Sequence, residues 1–140
     1  MSETIEIKIP SEPKFLKIIR SAINHLSEIA GFSPDETNNI TLAVDEACSN
    51  IIKHAYCGST DQPIHVLCNL YEDHIEIVLR DFGKKADINE IKSRKLDDVR
   101  PGGLGVHLIK SVMDIVNYDN NFEQGNQLRL VKFVRKKSQE

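Results

Sequence analysis

A glycine-rich turn that leads straight into an apolar, helix-like run is the feature that most constrains this chain. Three glycines and the run that follows them lie in the segment Arg100-Pro101-Gly102-Gly103-Leu104-Gly105-Val106-His107-Leu108-Ile109. Glycine lets a backbone approach a ligand closely, and the first turn of a helix presents unpaired N–H groups with a partial positive charge. The segment therefore predicts a helix from about Leu104 to Asp114 whose N-terminus can hold a phosphate group.

Length and composition narrow the class of protein. With 140 residues, 40% of them hydrophobic, the chain can build one core, so we predict a single domain over residues 1–140. The net charge of −3 comes from mixed signs without a basic excess, which disfavours direct binding to nucleic acid. No apolar run approaches the ~18 residues of a membrane span, and the N-terminus lacks the basic start of a signal peptide. We expect a cytoplasmic protein that does not bind membranes.

The hydrophobic pattern predicts a chain of both strands and helices. Period-two alternation and short apolar runs predict five strands, at 4–9, 64–71, 75–79, 115–118 and 127–134. Between the first two strands, apolar residues recur at helical spacing. The first helix is predicted to start at Ser11 as its N-cap and to end at Gly31.

The second predicted helix carries polar residues beside an apolar stripe. Its start is marked by an N-cap, a first-turn proline and a capping-box glutamate in Ser33-Pro34-Asp35-Glu36. Stepping by about 100° per residue places Glu46, Asn50 and His54, where the helix is predicted to end, along the border of the stripe. The stripe itself consists of Ile40, Val44, Ala47, Ile51 and Ala55.

Polar side chains aimed towards an interior need partners, because burying an unpaired carboxylate or amide is costly. The amide oxygen of Asn50 suits Mg²⁺, a hard cation that shares its coordination shell with phosphates and water. Glu46, one turn earlier on the same side, would face the reacting phosphate as a general base. His54 fits a structural core histidine. A solvated helix flank is the alternative for this border.

Asp81 stands where the predicted strand 75–79 leaves the sheet. A carboxylate there can accept a hydrogen bond from the exocyclic amine of adenine, although an Asp-initiated turn is the alternative. Asp81-Phe82-Gly83 does not indicate the protein-kinase fold in which this triplet is known, because the chain is too short and lacks the other motifs of that fold. The polar, charged segment from Lys84 to Arg100 is typical of a loop that covers a ligand.

In order and spacing, three motifs resemble those of the GHKL-type (Bergerat-fold) ATPases, and specifically the RsbW/SpoIIAB-like family of anti-sigma factor serine-protein kinases. The resemblance spans nearly the whole chain. The N-box corresponds to Glu46-xxx-Asn50-xxx-His54-Ala55-Tyr56, and the first Gly box to Asp81-Phe82-Gly83. The second Gly box corresponds to Gly102-Gly103-Leu104-Gly105-Val106-His107-Leu108-Ile109.

The resemblance implies a fold and a set of site residues. The fold is a two-layer α/β sandwich, in which a mixed, mainly antiparallel sheet is covered by three helices on one face, with ATP between the helices and a lid. Asn50 would bind Mg²⁺, Glu46 would be the catalytic base, Asp81 would accept from the adenine amine, and Gly83 would lie beside the base. The ATP phosphates would be surrounded by Gly102, Gly103, Leu104 and Gly105.

Two positions depart from the family pattern. The family often has Phe where this chain has Ala86, and Thr where it has Asn126. The first departure affects the packing of the lid, and the second affects the hydration of adenine.

The resemblance also implies a function. The protein would be an ATP-dependent, homodimeric switch that sequesters a sigma factor and phosphorylates a serine on a STAS-domain anti-anti-sigma protein. Arg20 on the first helix is the candidate contact with the protein partner, and an exposed arginine that pairs locally is the alternative.

Two other functions stay open. One is a nucleotide-responsive partner-binding module that uses the same pocket without phosphotransfer, against which Glu46 argues. The other is a detached ATP-binding domain of a sensor histidine kinase. It is disfavoured because no helix carrying a phosphoacceptor histidine precedes the domain.

Overall fold

The computed structural model describes residues 2–87 and 103–135, which fold into one sheet with helices packed on one face. The five predicted strands are confirmed as β1 (Glu3–Pro10), β2 (Pro63–Leu70), β3 (His74–Asp81), β4 (Ile115–Asp119) and β5 (Asn126–Phe133). The helices are α1 (Leu16–Ala30), α2 (Pro34–Asn50) and α3 (Gly103–Val112), with a 3-10 turn at Pro13–Phe15 and a π-helical turn at Ile51–Ala55.

The sheet has the strand order β1-β2-β3-β5-β4. All four pairings between the described strands are antiparallel, so the prediction of a mainly antiparallel sheet is confirmed and the described sheet contains no parallel pair. In the β3–β5 register, Asp81 lies opposite Asn126. The last residue of β3 and the first residue of β5 are therefore neighbours at the same end of the sheet.

Local signals placed the start of α2 and the end of α1 correctly. Ser33 caps α2: its hydroxyl accepts from the Glu36 N–H, and the Glu36 carboxylate accepts from the Ser33 N–H, both at 3.2 Å. Gly31 ends α1 with a φ of 101°, a left-handed conformation that glycine adopts without a Cβ clash. The two helices can therefore follow each other through a short connection and pack side by side.

The prediction that Ser11 caps the first helix is wrong. Ser11 is fully buried, and its hydroxyl donates to the Ser59 carbonyl at 2.6 Å and accepts from the Gln62 N–H at 3.1 Å. Because these bonds join the end of β1 to the loop before β2, the hydroxyl is not available to cap a helix. The helical path begins instead with the 3-10 turn that starts at Pro13, and α1 follows at Leu16.

The core lies between the helices and one face of the sheet. Alternate residues of β3, namely Ile75, Ile77 and Leu79, are at most 1% exposed, and on α2 Ile40 and Val44 are equally buried. Burying one such aliphatic side chain contributes about 1.5–3 kcal/mol. Asp81 continues the inward-facing set of β3, so the fold carries a carboxylate to the edge of its own core.

In the described part of the chain, no helix is both long enough and apolar enough to cross a membrane.

Candidate functional site

A cavity of about 310 Å³ opens where α2 ends, beside the ends of β3 and β5. Its size is at the lower end of the range, roughly 300–1,000 Å³, that is usual for small-molecule sites. Three buried apolar side chains, Ala47, Leu79 and Leu128, form part of its wall. Polar groups also reach it from α2, from the sheet and from residues 84–87. An apolar wall with a few converging polar groups is typical of a binding site for a small molecule.

Asp81 is the buried carboxylate of this cavity, with only 3% of its surface exposed. Burial raises its pKa above the usual value, and hydrogen bonds from Gly83 and Asn126 oppose that shift. The Gly83 N–H donates to Oδ1 at 3.0 Å, and the Asn126 amide donates to Oδ1 at 3.1 Å and to Oδ2 at 3.3 Å. Because a carboxylate has about four acceptor positions, Oδ2 can accept a further hydrogen bond from a ligand.

Gly83 is required by the close approach of two backbone segments. A Cβ at this position would overlap the carbonyl of Ala55, and the N–H of the next residue, Lys84, donates to that same carbonyl at 2.7 Å. Gly83 therefore holds the chain after β3 against the end of α2. Its position beside the adenine base stays a prediction.

The π-helical turn at the end of α2 shapes the site. The Tyr56 N–H donates to the Ile51 carbonyl, five residues earlier, at 3.0 Å. The Tyr56 hydroxyl accepts from the Phe82 N–H at 2.8 Å and donates to the Pro63 carbonyl. Burial raises the pKa of the Tyr56 hydroxyl. One side chain thus connects α2 with β2 and with the chain after β3.

The prediction that His54 is a core histidine is wrong. His54 is exposed and lines the cavity. The prediction extrapolated about 100° per residue along an α-helix, whereas the turn at Ile51–Ala55 is π-helical and its wider i→i+5 bonding changes the direction of later side chains.

Asn50 and Glu46 lie one turn apart on α2, and both are partly buried. Asn50 lines the cavity, whereas Glu46 is not among its lining residues. Among residues 2–87 and 103–135, no group of three or more His, Cys, Asp or Glu side chains could hold a metal ion. A cation here would therefore be held by few protein oxygens and by ligand phosphates and water, the arrangement that Mg²⁺ often adopts. The amide oxygen of Asn50 fits that role.

The second glycine motif is only partly described. Gly102 lies outside the described residues, as does most of the predicted lid from Lys84 to Arg100, of which residues 84–87 line the cavity. Gly103, Leu104 and Gly105 form the first turn of α3, so the predicted helix N-terminus is confirmed. Their contact with phosphate stays a prediction.

Two features of the site were not assigned by sequence reasoning. Asn126 was recognised only as a departure from the family pattern, yet its amide contacts Asp81 and the chain on both sides of Lys85. Gly125 precedes it with a φ of 87°, and a Cβ there would overlap the Asp81 carbonyl. The Gly-Asn pair directly before the predicted strand 127–134 was the signal available, since glycine next to a strand can mark a close approach of another backbone segment.

Comparisons with known proteins agree with this geometry. Residues 9–132 match the family model described as the histidine kinase-like ATPase domain. The chain is 30% identical over 138 residues to the serine-protein kinase RsbW of Oceanobacillus iheyensis, covering 93% of this chain and 86% of that protein. It is 31% identical over 144 residues to RsbW of Halalkalibacterium halodurans, covering 96% and 85%.

Two solved structures share the fold. One contains the RsbU and RsbW domains of a Mycobacterium tuberculosis protein, with a TM-score of 0.65, 14% identity and coverage of 94% of this chain and 32% of that one. The other is the SiaB–SiaC complex from Pseudomonas aeruginosa, with a TM-score of 0.65, 13% identity and coverage of 93% and 89%. The chain belongs to the histidine kinase-like ATPase family. Its resemblance to RsbW, predicted from three motifs, is confirmed by the relatives.

Proposed function

We propose that this protein is an ATP-dependent serine-protein kinase and anti-sigma factor. It sequesters a sigma factor and phosphorylates a serine on a STAS-domain anti-anti-sigma protein, and it acts in the cytoplasm. The kinase activity is supported by the name shared by its RsbW relatives. One observation supports an ATP site: the buried carboxylate of Asp81 and the amide of Asn50 line the same cavity.

The base of ATP fits the strand side of the cavity. Asp81 would accept a hydrogen bond from the exocyclic amine of adenine on Oδ2, the oxygen with acceptor capacity left. The buried side chains of Leu79, Leu128 and Ala47 would cover the faces of the ring. Guanine carries a carbonyl in place of the amine, so it would meet the carboxylate with an acceptor and bind weakly.

The phosphates would extend towards α2 and the first turn of α3. Bound Mg²⁺ would neutralise phosphate charge, with Asn50 as its protein ligand. Glu46 would take the proton of the attacking serine hydroxyl. The serine oxygen then forms its bond to the γ-phosphorus as the bond from that phosphorus to the ADP oxygen breaks. Phosphoserine and ADP are the products, and the proton resides on Glu46.

A partner-binding module without phosphotransfer is the second candidate. It is favoured by one observation: Glu46 is not among the residues that line the cavity. In that case ATP would control the affinity for a protein partner through its contacts alone, and Glu46 would belong to the flank of α2.

Partner contacts are proposed at α1. The exposed guanidinium of Arg20 pairs with Asp45 of α2 at 2.9 Å, so a local partner is present. About half of the Arg20 side chain, 45%, is exposed and can reach a second protein. We propose that the active form is a homodimer and that Arg20 lies in the surface that contacts the protein partner.

The kinase and the binding module differ in one experiment. The anti-anti-sigma partner is identified among the proteins that co-purify, and it is incubated with the purified protein, Mg²⁺ and ATP labelled on the γ-phosphate. The kinase transfers label to a serine of this anti-anti-sigma partner, located by mass spectrometry. Binding of ATP without label on the anti-anti-sigma partner would contradict the kinase and leave the binding module.

A further inference from the structure

The side chain of Asn126 uses both ends of its amide to join two parts of the cavity. Its Nδ2 group donates to the Asp81 carboxylate and to the Lys84 carbonyl at 2.9 Å, and its Oδ1 accepts from the Ala86 N–H at 2.7 Å. The Lys84 carbonyl can only accept and the Ala86 N–H can only donate, so the orientation of the amide is fixed. Asn126 thereby contacts Asp81 and the chain that continues from β3.

The backbone of Asn126 is held from the opposite face of the sheet. The Arg80 guanidinium donates to the Asn126 carbonyl at 3.1 Å and to the Gln124 carbonyl at 3.0 Å. It lies over the rings of Phe82 and Phe122, at 4.4 and 3.9 Å from their centroids. Arg80 and Asp81 are consecutive residues of β3. Arg80 therefore holds the backbone of Asn126, while Asp81 accepts from its side chain.

We propose that Asn126 is a positioning residue that gives the site its preference for the amino group of adenine. It orients the Asp81 carboxylate by donating to both of its oxygens, so that the acceptor position left on Oδ2 is held in one direction. This inference rests on the proposed adenine role of Asp81. Without the Asn126 side chain, the carboxylate would lose the donor that contacts both of its oxygens, while the Gly83 N–H would still hold Oδ1. The carboxylate could then turn about its Cβ–Cγ bond, and Oδ2 would no longer be held in a fixed direction for a ligand amine.

Asn120 provides a matched control. Its Nδ2 donates to the Ala86 carbonyl at 3.0 Å, so it holds the same segment as Asn126. No hydrogen bond joins Asn120 to Asp81 within the described residues. Removing the Asn120 amide therefore loosens the segment at residue 86 and leaves the donors on Asp81 in place.

The test compares two ligands on each variant. Affinities for ATP and for purine riboside triphosphate, which lacks the amine, are measured by calorimetry with Mg²⁺ at neutral pH. The wild type is expected to prefer ATP by about 10- to 100-fold, the range for a hydrogen bond to a charged group. Asn126→Ala and the near-isosteric Asn126→Leu, which has no donor, should bring the ratio close to 1. Asn120→Ala should keep the wild-type ratio.

The ratio of the two affinities distinguishes a positioning role from a general structural effect, because a structural effect would weaken binding of both ligands equally. Thermal unfolding identifies any variant that fails to fold, and the near-isosteric Asn126→Leu substitution then provides the test if the alanine variant is lost. A tenfold or larger preference for ATP in a folded Asn126 variant would overturn the inference, and so would loss of the preference in Asn120→Ala. A wild type that binds both ligands equally would contradict the adenine role of Asp81 itself.

Discussion

The strand side and the helix side of the cavity are built differently. On the strand side, Asp81 and Asn126 are tied into a network of protein hydrogen bonds before any ligand is considered. On the helix side, Glu46 and Asn50 make no side-chain hydrogen bond within the described residues. The strand side is therefore preorganised for one shape of ligand. The polar groups of the helix side are left available for phosphate, a cation or a protein substrate.

This difference follows from what each side has to recognise. A base presents fixed donors and acceptors, so a rigid acceptor selects it well. A transferring phosphoryl group gains charge and changes geometry, and it is stabilised mainly by positioned groups and cations supplied as the complex assembles. The comparison predicts that substitutions on the strand side change binding of the base, whereas substitutions on the helix side change Mg²⁺-dependent binding of the phosphates or phosphotransfer.

The largest effect is expected for Glu46→Gln. The substitution keeps size and hydrogen-bonding reach but removes the basic carboxylate, so phosphotransfer should fall by about 10²–10⁴. Binding of ATP should change little, because Glu46 is not among the residues that line the cavity. Single-turnover transfer to the co-purified partner measures the rate, with the exposed Glu28→Gln variant as control. Normal phosphotransfer by Glu46→Gln would contradict the role of Glu46 as general base, and with it the difference between the two sides of the cavity.

Asp81→Asn should weaken ATP binding by roughly one to two decades, the cost of about 1.5–3 kcal/mol for a hydrogen bond to a charged group. The amide would also place a donor where the carboxylate had only acceptors, opposite the Asn126 amide. Calorimetry with ATP checks the affinity, and Asp61→Asn, in the exposed loop before β2, is the control. Unchanged ATP affinity would contradict the adenine assignment.

Gly83→Ala should lower both stability and ATP affinity. The new Cβ would meet the Ala55 carbonyl, and moving that backbone apart should cost about 1–3 kcal/mol, as for other overpacked sites. Gly58→Ala is the matched control: a Cβ there has open space, and its φ of 85° causes backbone strain only. Chemical denaturation and ATP titration measure the two effects. A weakened ATP affinity in Gly58→Ala, equal to that of Gly83→Ala, would contradict a local role for Gly83.

The smallest expected effects are the changes of stability and of ATP affinity with pH, and these two changes should have opposite signs. Burial raises the pKa of Asp81 in the folded state, so its contribution to stability is present at low pH and is lost as pH rises through that pKa. ATP binding uses the ionised carboxylate, so ATP affinity should fall as pH falls through the same pKa. Denaturation and calorimetry between pH 4 and 7, compared with Asp81→Asn, isolate both slopes. Parallel slopes for stability and affinity would contradict the role of the ionised form.

Much of the fold could be predicted because its signals are local. The capping box of Ser33 and Glu36 and the left-handed Gly31 each act within a few residues, so the start of α2 and the end of α1 follow from nearby sequence. Ser11 was assigned wrongly because its partners, Ser59 and Gln62, are distant in sequence. Nothing near Ser11 distinguishes a helix cap from a buried hydroxyl that joins two loops.

Site residues could be predicted where they belong to a recognisable motif. They could not be predicted where their position depends on the path of the backbone. The motifs placed Asn50 and Asp81 in one cavity, and the structure agrees. The exposure of His54 depends on a π-helical turn, which leaves no mark in the hydrophobic period. The role of Asn126 depends on its register opposite Asp81, which is fixed by strand pairing between distant segments.

The most direct test measures adenosine and ATP binding with and without Mg²⁺. If the strand side is built to read adenine before phosphate is bound, adenosine should bind equally well in the presence and absence of Mg²⁺. Asp81→Asn should reduce that affinity, and Asn50→Ala should leave it unchanged. The additional affinity of ATP should require Mg²⁺ and should be lost in Asn50→Ala. Adenosine binding that depends on Mg²⁺ or on Asn50, or that survives Asp81→Asn unchanged, would contradict the account.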